Sequence, residues 1–126
     1  MGEIRVLCVD DEEELVSAWV ERLALRGIEA DGAVNGLEAM QKISEKKYDV
    51  VVLDIKMPGL NGFEIMKRIK SEKANIQVIL ITGHQSVEDE NNTLMAGAFD
   101  FLVKPVNIDI LMEKIIKAVA TENSGA

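Results

Sequence analysis

Short runs of apolar, largely β-branched residues recur along this chain, separated by longer amphipathic stretches, and that alternation constrains the fold more than any other feature. The runs are "IRVLCV" at 4–9, "IEADGAV" at 28–34, "VVVL" at 50–53, "IQVILIT" at 76–82 and "FDFLV" at 99–103. Each has the length of a strand rather than of a helix. Between them apolar residues return at helical spacing: Leu15, Trp19 and Leu23, then Leu37, Met40 and Ile43, then Phe63, Met66 and Ile69, and last Ile108, Leu111, Ile115 and Val119. This pattern predicts an α/β fold, a doubly wound sheet of five parallel strands with five helices. The first, third and fourth runs are apolar throughout, as strands covered on both faces must be.

Turn residues fall where this division needs them. Gly27 and Gly97 stand where helices would end, and Pro58, Gly59, Asn61 and Gly62 form a turn ahead of the third helix. The weakest helical segment is "SVEDENNTLMAG" at 86–97. Ser86 is a plausible N-cap, but Asn91, Asn92 and Thr93 have poor helix propensity, so this element is expected to be the most mobile. The boundary is expected after residue 121, with one domain over 1–121 and a polar tail, or the start of a linker, over 122–126.

Charge narrows the partners. Twenty-two acidic against fourteen basic residues leave a net charge of −8, which disfavours direct contact with nucleic acid or an anionic membrane surface. Glu3 and Arg5 interrupt any signal-peptide core, and no apolar run approaches the roughly 20 residues that span a bilayer. The lone cysteine, Cys8, lies among Val6, Leu7 and Val9 as a small core residue, which fits a reducing, cytoplasmic setting.

In a parallel sheet all C-terminal strand ends share one edge, and ligands bind there. The first strand ends in Asp10-Asp11, the third in Asp54, the fourth in Thr82 and the fifth in Lys104. Taken singly, each has a structural reading. Asp10 and Asp11, followed by Glu12, Glu13 and Glu14, could cap the next helix and favour its N-terminus; Thr82 is a common strand residue, and Lys104 could be solvated. Asp54, after an unbroken apolar run, has no helix to cap. Together, three carboxylates at close range would repel by ~4 kcal/mol per pair at an effective dielectric of 20, so they would raise their own pKa values or recruit a cation. Oxygen-only donors favour a hard ion, and magnesium suits a site that also receives phosphate. With the metal held mainly by Asp10 and Asp11, Asp54 is free to act as a nucleophile toward a phosphoryl group, whose charge Lys104 and Thr82 would meet.

The segments "VDDEE", "VVLDIKMPGLNGFE", "ILITG" and "GAFDFLVKP", in this order and at these intervals, resemble the receiver domain of two-component response regulators, the CheY-like superfamily. The resemblance covers the chain up to the polar tail. It implies a flavodoxin-like strand order 2-1-3-4-5, Asp54 as phosphoacceptor, Mg2+ held by Asp10, Asp11, Asp54 and the Lys56 backbone carbonyl, and Thr82 and Lys104 gripping the phosphoryl group. It further implies a switch that couples Thr82 to the aromatic Phe101, tuning of phosphoryl lifetime by Lys56 and His84, and a cis Lys104–Pro105 bond. Implied partners are a sensor histidine kinase or histidine phosphotransfer protein and an output domain or downstream protein, with possible homodimer formation on activation. The signal would pass through the face of the fourth helix, fifth strand and fifth helix.

Other readings compete with this one. An aspartate-dependent phosphatase would want a second acid where Lys56 stands. A flavin module would want a phosphate cradle where "DDEEE" would repel the ligand. A phosphorylation-independent interaction module on the same fold is the remaining alternative.

Overall fold

The strongest β signals form the centre of the sheet. In this computed structural model, which describes residues 3–57, 60–73, 75–83 and 97–124, the main strands are β1 (Arg5–Val9), β2 (Glu29–Ala33), β3 (Val50–Asp54), β6 (Gln77–Thr82) and β7 (Asp100–Val103). A two-residue antiparallel ladder, β4 (Lys56–Met57) with β5 (Leu60–Asn61), occupies the segment read as a turn. The main sheet runs β2-β1-β3-β6-β7 with every neighbouring pair parallel. Counted by its own strands, that is the expected order 2-1-3-4-5. All five residues of β3 are buried, which is why its run shows no polar alternation.

Strand geometry then sends alternate residues to opposite faces. Leu7, Val9, Val51 and Leu53 join Ile43, Ile65, Met66 and Ile69 in one core layer, beneath α2 (Gly36–Glu45) and α3 (Gly62–Glu72). Val6, Cys8, Val50, Val52, Ile79 and Ile81 join Trp19, Leu23, Leu111 and Ile115 in the other, beneath α1 (Glu13–Leu25) and the C-terminal helix (Ile108–Ser124). Burying each such aliphatic side chain stabilises the fold by roughly 1.5–3 kcal/mol before entropy is charged against it. Burial, with a lesser push from Asp31, lifts the Cys8 thiol to about 12. Its role is therefore packing, since the reactive thiolate is suppressed.

The helix ends are chemically defined. Gly27 takes φ +83° after α1, and the bonds Gly27 N–H to Ala24 O and Ile28 N–H to Leu23 O close a Schellman turn. The Asn35 side chain accepts from the Glu38 amide at 2.8 Å and caps α2, worth about 1 kcal/mol. Asn107 likewise accepts from the Asp109 and Ile110 amides ahead of the C-terminal helix. That helix stays helical through Ser124. Four helices are present among the described residues; the expected one over 86–97 lies outside them, apart from Gly97.

Side chains from α2 and from the loop after it brace the edge strand β2. Asp31 accepts from the Tyr48 hydroxyl at 2.7 Å and from Lys46 Nζ at 3.2 Å, and Lys42 Nζ donates to the Gly32 carbonyl. Partial burial works against the charged Asp31 carboxyl, but the bonds from Tyr48 and Lys46 outweigh it and hold its pKa below the ordinary 3.8. A depressed folded-state pKa contributes stability that is present above the unfolded value and lost as pH falls through the folded one. We therefore expect Tyr48→Phe to cost about 1 kcal/mol near neutrality. The cost should shrink as pH falls through the folded-state pKa of Asp31, which lies below the ordinary 3.8. Urea unfolding of both proteins near neutrality and below that pKa checks this; a difference that does not change with pH removes Asp31 from the explanation.

Candidate functional site

The three polar or charged side chains that are buried among the described residues all lie at one edge of the sheet: Asp10 at 0 % exposure, Asp54 at 4 % and Thr82 at 1 %. Parallel pairing puts them there. Asp54 is the last residue of β3 and stands in register with Ile81, while Thr82 ends β6 in register with Val103. Asp10 directly follows β1, and its amide bonds to the Ala33 carbonyl at 3.2 Å. Lys104 directly follows β7, and its amide bonds to the Thr82 carbonyl at 2.8 Å. The next peptide bond, Lys104–Pro105, is cis.

Buried charges require partners, and Lys104 is the shared one. Its Nζ lies 2.9 Å from Asp10 Oδ2, 3.2 Å from Asp54 Oδ2 and 3.4 Å from Glu12 Oε1. The fully enclosed Oδ2 of Asp10 is thus answered by the Lys104 ammonium. Burial disfavours the ammonium, yet the close approach of Asp10 and the charges of Asp54 and Asp10 outweigh it and raise the pKa of Lys104. Asp10 is held from its other side as well: its Oδ1 accepts from the Glu12 amide at 2.9 Å. Asp10 thus shapes the loop before α1, whose N-cap position, Glu12, has no side-chain cap.

The donor set fits a divalent cation. Asp10, Asp11 and Asp54 each offer a carboxylate oxygen, and these oxygens lie within 4.8 Å of one another. Asp10 and Asp54 are enclosed while Asp11 is exposed, so an ion there would meet two fixed ligands and keep an open, hydrated side. That is the arrangement magnesium favours, because it dehydrates reluctantly. One ammonium facing three carboxylates leaves the notch anionic, and a second positive charge completes it.

The remaining expected residues are placed less closely around the acids. Lys56 lies in β4 beside Asp54, although its side chain is outside the described part, as is His84. Phe101 is half-buried in β7 and packs against the core layer beneath α2 and α3. Asp100 fixes that strand by accepting from the Phe101 amide at 2.8 Å and pairing with Lys114 of the C-terminal helix. In the sequence, Glu12 reads only as a helix-end charge; its contact with Lys104 joins residues 92 positions apart, and no local pattern encodes it.

The profile of the response regulator receiver domain family matches residues 6–116. Among curated proteins, the transcriptional regulatory protein ZraR of Klebsiella oxytoca is 34 % identical over 94 % of this chain and 27 % of its own length. The regulatory protein AtoC of Escherichia coli is 36 % identical over 85 % of this chain and 23 % of its own. PrrA of Mycobacterium tuberculosis is 35 % identical over 88 % of this chain and 48 % of its own. The chain therefore spans a quarter to a half of these relatives. Among solved structures, a CheY-like receiver domain from Methanospirillum hungatei superposes with a TM-score of 0.92 at 28 % identity, covering 99 % of this chain and all of that one. The Thermotoga maritima response regulator TrrA, in complex with Mg(2+)-BeF, gives 0.81 at 36 % identity over 91 % of this chain and 98 % of that one. No helix among the described residues is long and apolar enough to cross a membrane. With the 2-1-3-4-5 parallel sheet and the acid-lined rim, these likenesses make the chain a member of the response regulator receiver domain family of two-component signalling.

Proposed function

We propose that this receiver domain is a phosphorylation-activated switch whose acceptor is Asp54. The observation that carries the reading is the geometry at the end of β3: a nearly enclosed carboxylate, 3.2 Å from Lys104 and gathered with Asp10 and Asp11. In the step itself, an Asp54 oxygen attacks the phosphorus of a phosphohistidine, the P–O bond forms, the P–N bond breaks, and the imidazole leaves with the electron pair and is protonated. Asp10, Asp11, Asp54 and the Lys56 carbonyl would hold Mg2+, which supplies counter-charge for the transferred oxygens when bound. Lys104 and Thr82 complete that neutralisation from the other side. The Mg(2+)-BeF complex of TrrA supports the assignment, since beryllium fluoride is a tetrahedral stand-in for a phosphoryl group.

Drawing Lys104 and Thr82 toward phosphate would loosen the ion pairs to Asp10 and Asp54 and let Phe101 move inward, changing the face that includes β7 and the C-terminal helix. Lys56 and His84 would tune how long the phosphoryl group lasts. The donor would be a sensor histidine kinase or a histidine phosphotransfer protein in the cytoplasm. The reader of the changed face would be an output domain or a separate protein, with self-association as one route. Residues 1–121 would form the switch and 122–126 its polar tail or the start of a linker. The test is incubation with acetyl phosphate and MgCl2 followed by intact-mass spectrometry. The reading predicts a single acid-stable, base-labile phosphoryl group that is not formed when EDTA is present; an unshifted mass despite bound metal overturns it.

A further inference from the structure

We propose that Gly62 is a positioning residue for the acceptor site: its missing Cβ lets the start of α3 close onto the backbone of Asp54 and Ile55 and so sets where the acceptor carboxylate stands. A Cβ built on Gly62 would lie 2.6 Å from Ile55 Cα, 2.7 Å from the Asp54 carbonyl oxygen and 2.7 Å from the Ile55 carbonyl oxygen. Real Cβ atoms essentially never approach non-bonded atoms closer than 3.0 Å. All three obstacles are main-chain atoms, so no rotamer change relieves them. The backbone of Gly62 is not in the left-handed region, so the requirement is for space rather than for φ.

Two hydrogen bonds hold the same peptide units from both sides. The Ile55 amide donates to Ile81 O of β6 at 2.9 Å, and the Ile55 carbonyl accepts from the Gly62 amide at 2.9 Å. The segment that leaves Asp54 is thus clamped between the neighbouring strand and the first residue of α3. A methyl group at position 62 must push one of them away by several tenths of an ångström. The carboxylate geometry that brings Asp54 within 4.8 Å of Asp10 and Asp11 then shifts with it. In the sequence Gly62 passes for an ordinary turn residue, because its neighbour in space is the acceptor strand.

This role rests on the metal-binding reading of the acid rim, and the test separates the two. Gly32 supplies the control: a Cβ there would meet Val16 Cγ1 at 2.4 Å, a side-chain clash between β2 and α1 that also costs stability but lies apart from Asp54. Mn2+ binding to wild type, Gly62→Ala and Gly32→Ala is measured by the electron paramagnetic resonance of free Mn2+, with folding checked by circular dichroism. Displacing the support of a ligand is expected to weaken binding by about tenfold in Gly62→Ala, while Gly32→Ala binds as wild type does. In wild type, hydrogen exchange of the Gly62 amide should also slow when Mg2+ is added, a readout that needs no variant to fold. Equal affinity of a folded Gly62→Ala and wild type, an equal loss in both variants, or a Gly62 amide indifferent to Mg2+ overturns the role of Gly62 alone. A wild type that binds no Mn2+ overturns the acid-rim reading, and this role with it.

Discussion

Asp54→Asn is expected to take up no phosphoryl group from acetyl phosphate under conditions in which wild type takes up one. The substitution keeps shape and volume, so the buried end of β3 still packs among Leu53, Ile81 and the residues around them. What disappears is the anionic oxygen: an amide carries no lone pair of comparable nucleophilicity and cannot form the mixed anhydride. The loss is therefore complete rather than partial. Intact-mass spectra of the two proteins, taken beside thermal unfolding curves, check both halves of the expectation. A variant that still gains mass would place the acceptor elsewhere on the chain.

The second large effect concerns Lys104. Lys104→Ala removes the cation that lies 2.9 Å from Asp10 and 3.2 Å from Asp54, and both carboxylates stay buried. Breaking a buried pair by deleting one partner costs about 3 kcal/mol or more, because the other charge remains uncompensated. In metal-free buffer we expect a destabilisation of about that size, large against a typical domain stability of roughly 5–15 kcal/mol. Magnesium should return part of it, since a ligand that binds only the folded form stabilises by RT ln(1 + [L]/Kd). The variant's stability should thus depend on Mg2+ concentration more steeply than that of wild type. Urea titrations of both proteins across a Mg2+ series measure this. Parallel Mg2+ responses would mean that Lys104 and the metal do not share the Asp10 and Asp54 charges.

The pattern that predicts the fold is local in kind. The runs that become β1, β3 and β6 are apolar because they are covered on both faces, and the helical stripes at Leu15, Trp19 and Leu23 or at Ile108, Leu111 and Ile115 face the same core. Gly27 ends α1 where the spacing stops. The edge is less legible. β2 is short of apolar residues, and its ladder with β1 is supplemented by bonds among Asp31, Tyr48 and Lys46, which meet through tertiary packing alone.

The acid rim divides in the same way. Strand ends carrying Asp10, Asp11, Asp54, Thr82 and Lys104 can be listed from periodicity once the strands are taken as parallel, and the family resemblance supplies their order in the sheet. The spatial pairings cannot be listed so: that Lys104 lies between Asp10, Asp54 and Glu12, and that Gly62 abuts the Asp54 backbone. Hydrophobic period and turn chemistry act over a few residues, so they are written in the chain itself. Distances of a few ångströms between residues 50 or 92 positions apart arise only when strand register and helix packing are settled, and there the tertiary structure decides which charge answers which.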